Sequence, residues 1–126
     1  MSAHAAISGV RLLAIVAWGC GLAQVAVAQD NAAFIEQVGT QHLARQYQDG
    51  AENFATIVQN GTANMQTVEQ YGTRNTSTTS QDGTYLQSII IQNGTDHTAT
   101  VFQSSNAPPI RIQQFGTGQT IFLHQN

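Results

Sequence analysis

A glutamine returns every eleven residues along this chain, at Gln37, Gln48, Gln59, Gln70, Gln81, Gln92, Gln103, Gln114 and Gln125. A primary amide brings two N–H donors and one carbonyl acceptor, with no nucleophile and no titratable group. Its chemistry is hydrogen bonding. Amides held at a constant interval, with no insertion, imply columns in which each amide bonds the next, removing the penalty for burying a polar group. Glycine follows two places later at Gly39, Gly50, Gly61, Gly72, Gly83, Gly94 and Gly116, lapsing only at Ser105. A fixed polar interval of this kind marks a repeat architecture.

The remaining groups that could do chemistry are sparse. Asp49 and Asp82 each stand between a repeat Gln and a Gly. They read either as ordinary turn residues or as gatekeepers whose charge slows premature pairing. His42 and His97 share one place in the repeat, but an odd number of units separates them, which puts them on opposite edges and argues against a metal pair. Acids are scattered and loops uniformly short, so no catalytic constellation forms, no metal site is expected and no cofactor is implied. Beyond residue 28 the chain has three Arg and no Lys against seven acids, without the basic footprint of a nucleic-acid binder. No small-molecule substrate is indicated either.

The elements that must position the amides follow from the eleven-residue units. FATIVQNGTAN over MQTVEQYGTRN, residues 54–75, is the clearest pair. Within each unit, positions two, four and six alternate with three and five, the period of a strand. Positions two and four are apolar at thirteen of eighteen sites, from Ala33 and Ile35 to Ile121 and Leu123, and form the inward face. Gly at position eight and Asn at position eleven (Asn53, Asn64, Asn75) are turn residues, the Asn bonding its local backbone and tolerating a left-handed conformation. Two strand–turn units make a coil of 22 residues. The fold class is therefore all-β, a β-solenoid with cross-β stacking at ~4.8 Å. Stacking places Gln37, Gln59, Gln81, Gln103 and Gln125 in one column and Gln48, Gln70, Gln92 and Gln114 in the other. The fifth unit, with Ser77 and Thr79 facing inward, makes the weakest coil. The last half-unit leaves Ile121, Phe122 and Leu123 on an open sheet edge as a candidate docking segment.

Residues 1–28 read differently. Arg11, the apolar run Leu12 to Trp18 and the closing Ala26-Val27-Ala28 have the layout of a secretory signal peptide cleaved before Gln29. The apolar run is short for a membrane span. Its Cys20 is the chain's only cysteine, so residues 29–126, the repeat domain, hold no disulfide.

The A-x-I-x-Q-x-G-x-x-N core, twice per coil and closest at residues 54–64 and 65–75, resembles the curlin repeat. That resemblance implies a secreted subunit of curli, the extracellular functional amyloid fibres of Gram-negative biofilms, that contributes to matrix and adhesion and is not an enzyme. Implied partners are copies of itself, other curlin subunits and the curli secretion and assembly machinery at the outer membrane. Enteric curlins carry a longer segment before the first repeat, where this chain has only Gln29 to Asn31. The irregular late units, with Pro108-Pro109 and Arg111, resemble the minor, nucleating subunit more than the major fibre-forming one. Outside the family, a monomeric ice-binding or adhesin-type solenoid is the alternative. For ice binding, Thr56, Thr78 and Thr100 would stack, but Val58, Ser80 and Phe102 beside them do not match.

Overall fold

The computed structural model describes residues 15–16, 22–28 and 30–126, with side chains from residue 30 onward. Most of the segment read as a signal peptide, and its cleavage point at Gln29, lie outside the described residues. Nine strands of the repeat domain follow one another at the unit spacing: β3 (Asn31–Thr40), β4 (Leu43–Ala51), β5 (Phe54–Thr62), β6 (Met65–Thr73), β7 (Thr76–Thr84), β8 (Gln87–Thr95), β9 (Thr98–Ser105), β10 (Ile110–Thr117) and β11 (Thr120–Gln125). Two short strands precede them, β1 (Ile15–Val16) and β2 (Leu22–Ala28).

The strands alternate between two sheets. One runs β1-β4-β6-β8-β10 and the other β11-β9-β7-β5-β3-β2. From β3 to β11 every pairing is parallel, each residue opposite the one 22 places on: Ile57 lies against Thr79, Gly61 against Gly83, Val68 against Ile90. This is a parallel β-solenoid with a 22-residue coil. Only β1 and β2 break the rule, pairing antiparallel with β4 and β3.

Burial follows the strand period. In β5, Ala55, Ile57 and Gln59 are buried while Phe54, Thr56, Val58 and Asn60 face outward. The apolar core is a narrow file of Ile35, Ala44, Ala55, Ile57, Val68, Ile90, Ala99, Val101, Ile110 and Ile112, with Ile121 and Leu123 packed against its end. β-Branched residues suit such a file because few rotamers are lost and the branch packs on the pleat. Leu86 is a further fully buried apolar residue, at a corner rather than between the sheets.

The corners differ from the expectation in one respect. The left-handed residue is not the Asn at position eleven but the one before it: Gln41, Glu52, Ala63, Arg74, Tyr85 and Asp96 have φ between 56° and 59°. A non-glycine residue there costs energy that the surroundings must supply. They do so by hydrogen bonding: the N–H of Ala63 reaches Thr40 O at 2.9 Å, and that of Tyr85 reaches Thr62 O at 3.0 Å. Asn53, Asn64 and Asn75 are instead fully buried. In the seventh unit, Ser105 takes the left-handed turn (φ 59°) and Ala107 fills the buried corner, so Pro108 and Pro109 stay on the surface.

Glycine at position eight is required by stacking as well as by its dihedrals. A Cβ at Gly61 (φ 112°) would overlap the carbonyl oxygen of Gly83 in the next coil, while one at Gly116 (φ 100°) meets nothing. Gly61→Ala should therefore cost ~2 kcal/mol or more, from strain and clash together, and clearly more than Gly116→Ala, which bears the strain alone. Denaturation midpoints of the two variants provide the check; equal shifts would mean that stacking plays no part.

Candidate functional site

Position six of each eleven-residue unit points between the sheets, and in-register pairing sets each Gln directly above the Gln 22 residues earlier. In the first column, Gln37 Nε2 donates to Gln59 Oε1 at 2.7 Å, Gln59 to Gln81 at 2.9 Å and Gln81 to Gln103 at 2.9 Å. In the second, Gln48 donates to Gln70, Gln70 to Gln92 and Gln92 to Gln114, each at 2.8 Å. From Gln37 to Gln114 all are at most 2% exposed. Gln125 lies opposite Gln103, but its buried Oε1 has no partner among the described residues, so the first column ends one step early.

The second amide hydrogen ties the two sheets together. Gln48, Gln70, Gln92 and Gln114 donate across to the carbonyls of Ala32 (3.1 Å), Phe54 (3.0 Å), Thr76 (2.9 Å) and Thr98 (3.1 Å). These bonds identify which end of each amide is nitrogen, since a turned amide would set its oxygen against a backbone carbonyl.

A second set of columns runs through the corners, and sequence reasoning found it only in part. Asn31 Oδ1 accepts the backbone N–H of Asn53 (2.9 Å), Asn53 that of Asn75 (3.0 Å) and Asn75 that of His97 (3.2 Å). Each Asn Nδ2 donates to the carbonyl of a stacked Gly, as Asn53 does to Gly72 at 3.0 Å and Asn75 to Gly94 at 3.1 Å. Asn31 was the residue missed; stepping back 22 places from Asn53 would have found it. At the opposite corner Asn64 accepts the N–H of Leu86 (3.0 Å). Leu86 cannot accept in turn, and Pro108, 22 places on, has no N–H to offer, so that end of the column leaves no N–H wanting an acceptor, while at its other end the buried Nδ1 of His42 has no partner among the described residues.

His97 stands in for Asn, taking the N–H of Gln119 on Nδ1 at 3.4 Å, while His42 Nε2 lies 2.9 Å from Val38 O. The two histidines are buried at opposite corners, and no group of three metal-ligating side chains occurs among the described residues. Asp49 and Asp82 fall in different sheets. Asp49 lies beside Tyr71, and Asp82 accepts a bond from Asn60 at 3.3 Å; neither stacks on another acid within the chain. Burial, then Glu69, Tyr47 and Asp49, push the Tyr71 phenol above its ordinary value.

The single ion pair found among the described residues joins Arg74 and Asp96 at corner positions one coil apart, 2.6 Å from Nε to Oδ1. The hydrogen bond from Arg74 holds the Asp96 carboxyl below its usual range. Its contribution is present above the unfolded carboxylate pKa and is lost as pH falls through the depressed folded value. Both side chains are about half exposed, so that contribution is small. On the outer faces, Tyr47 and Tyr71 stack at 5.2 Å between centroids, and Phe102 and Phe122 at 5.8 Å. Phe122 is therefore an outer-face residue, unlike its neighbours Ile121 and Leu123.

Each interior amide is satisfied by the rung before it and the rung after it. The family model for the curlin associated repeat matches residues 47–72. That stretch of the chain is similar to the curlin repeat. The matched segment runs from the end of the first coil through the second and holds Gln48, Gln59 and Gln70, each bonded to the next amide of its column. No curated protein and no solved structure matches the chain.

Replacing Gln70 with Ala strands one hydrogen of Gln48 Nε2, whose other still reaches Ala32 O, and the Oε1 of Gln92, at ~1–3 kcal/mol for each buried orphan. The outward change Thr67→Ala should stay within ~0.5 kcal/mol. Equal shifts in denaturation midpoint would show that the columns carry no stability. By the same logic His97→Asn, restoring an oxygen acceptor for Gln119 N–H, should raise stability by ~0.5–1 kcal/mol.

Proposed function

We propose that this curlin-repeat chain is a secreted structural subunit of an extracellular curli-type amyloid fibre, contributing to biofilm matrix and adhesion. The observation that carries the reading is the pair of amide columns in strict 22-residue register. Such columns gain most when continued, because every added rung satisfies the amide below it and offers one above. β10 and β11 end their sheets with one neighbour each, and Phe115 and Phe122 stand largely exposed there.

Within that role we place the chain as the minor, nucleating subunit. Support comes from the irregular C-terminal units: surface prolines at Pro108 and Pro109, Arg111 on the outer face of β10, and a final strand whose Ile121 and Leu123 are only partly buried. A major subunit laid on this end would bury both residues and pair the β10 edge in the manner of strand addition. Its partners are then a major curlin and the secretion and assembly machinery of the outer membrane. Asp49 and Asp82, unopposed by like charges inside the chain, act as gatekeepers between separate unfolded copies.

Protein released from denaturant should convert to a β-rich assembly with fibre reflections near ~4.7 and ~10 Å. A soluble, persistent monomer at micromolar concentration would overturn the fibre reading. Deleting residues 120–126 should reduce seeding of a major curlin more than it reduces β-structure in the remaining coils. Seeding that survives the deletion while self-assembly is lost would remove the nucleator assignment and leave the major-subunit one.

A further inference from the structure

Two stretches of the chain are the same four residues: Gln59 to Thr62 and Gln92 to Thr95 both read Gln-Asn-Gly-Thr. Their asparagines, Asn60 and Asn93, stand exposed on the outer faces of β5 and β8. An asparagine before a glycine holds an electrophile and a nucleophile on adjacent residues. The glycine nitrogen can attack the carboxamide carbon, with no Cβ of its own in the way. The new C–N bond closes a five-membered succinimide, and the side-chain nitrogen leaves as ammonia. Water then opens the ring at one carbonyl or the other. One opening leaves aspartate. The other leaves isoaspartate, whose main chain runs through the side chain and is one methylene longer. One water is consumed, one ammonia is released, and nothing is oxidised or reduced.

The fold withholds this reaction at Asn60. β5 is paired on both sides, with Asn60 between Val38 and Asp82 and Gly61 between Gly39 and Gly83. Ring closure needs a backbone rotation that a strand held in two ladders cannot make. The carboxamide is also engaged, its Nδ2 donating to Asp82 Oδ1 at 3.3 Å. An unfolded chain has none of these restraints.

Both products fit the stack badly, for different reasons. Aspartate at this place would set a second carboxylate against Asp82 where the amide now donates, and like charges directly opposite repel. Isoaspartate would push Gly61 out of step with Gly83, where the coils lie too close even for a Cβ. Asn93 has the same local sequence but other neighbours along the stack, the uncharged Tyr71 and Phe115.

We propose that Asn60 is a site of spontaneous deamidation, open in the unfolded chain and shut in the fold, whose conversion hinders folding because Asp82 lies next to it in the stack. Copies that stay unfolded are thereby marked by age, with water as the only co-reactant. The reaction depends on the solenoid fold and not on the fibre role.

The protein is held in denaturant at mildly alkaline pH, beside folded protein in the same buffer without denaturant. Cleavage after Arg45, Arg74 and Arg111 puts Asn60 and Asn93 on separate fragments, and mass spectrometry follows the loss of each amide. In denaturant the two sites should convert at the same rate. In the fold both should convert at least about tenfold more slowly. Asn60→Asp and Asn93→Asp, made directly, separate the added charge from the added methylene. Asn60→Asp should lower the denaturation midpoint clearly more than Asn93→Asp, and Asp82→Ser should restore most of that loss.

Conversion of Asn60 at equal rates with and without denaturant would overturn the shut-off. An Asn60 that keeps its amide in denaturant while Asn93 loses its own would overturn the site. Equal midpoints for the two aspartate variants, or no recovery with Asp82→Ser, would overturn the part given to Asp82.

Discussion

A buried amide must find its partners one rung away, and that requirement governs the rest of the molecule. Gln59 is fully buried between Gln37 and Gln81, bonded to both, and its spare hydrogen already reaches toward Leu43 O. A slip of one residue would turn every such amide to the solvent face and every outward residue to the interior. A single inserted residue in any coil would break the columns on either side of it. The constancy of the eleven-residue step is thus a physical necessity. So is the glycine two places on, where successive coils come so close that a Cβ cannot fit.

The apolar interior is too narrow to do this work alone. It is one file of small and branched residues, and several of its places are taken by polar groups. Gln46, Gln66, Ser77, Thr79 and Ser88 are buried with side-chain atoms that bond nothing among the described residues. Three of these belong to the third coil, Thr76 to His97, which is held by its backbone ladders and its Gln and Asn columns more than by packing. In a stack where each coil touches only its neighbours, stability is a sum of local terms and interfaces. A poorly packed coil lowers that sum at one place without disturbing the register elsewhere.

Much of this was legible in the residues. The glutamine interval, the alternation along each strand and the division of the columns between two sheets needed only counting. What escaped was corner chemistry. The Gly-x-x-Asn spacing suggested Asn as the left-handed residue, because Asn tolerates that conformation better than most. In the fold its side chain is needed inside, as an acceptor for the next coil, and the preceding residue takes the turn whatever its type. Ala63 and Tyr85 have no propensity that would have announced it. Asn31 was read as part of a linker because it precedes the first complete unit. Leu86 stands where the pattern has Asn, and its column neighbour Pro108 offers no N–H that would need an acceptor.

The hydrogen bonds of both the backbone ladders and the side-chain columns lie along the direction in which the coils stack. Tension applied along that direction must therefore rupture a whole rung at once, with its paired residues and its amide sharing the force. Peeling is different. A terminal strand such as β11, with six paired residues and no amide bond from Gln103 to Gln125, can be unzipped one bond at a time. The same register thus makes a stack of coils that is stiff and strong when pulled lengthwise and fails by fraying from its exposed end, as a cable does, rather than by snapping in the middle.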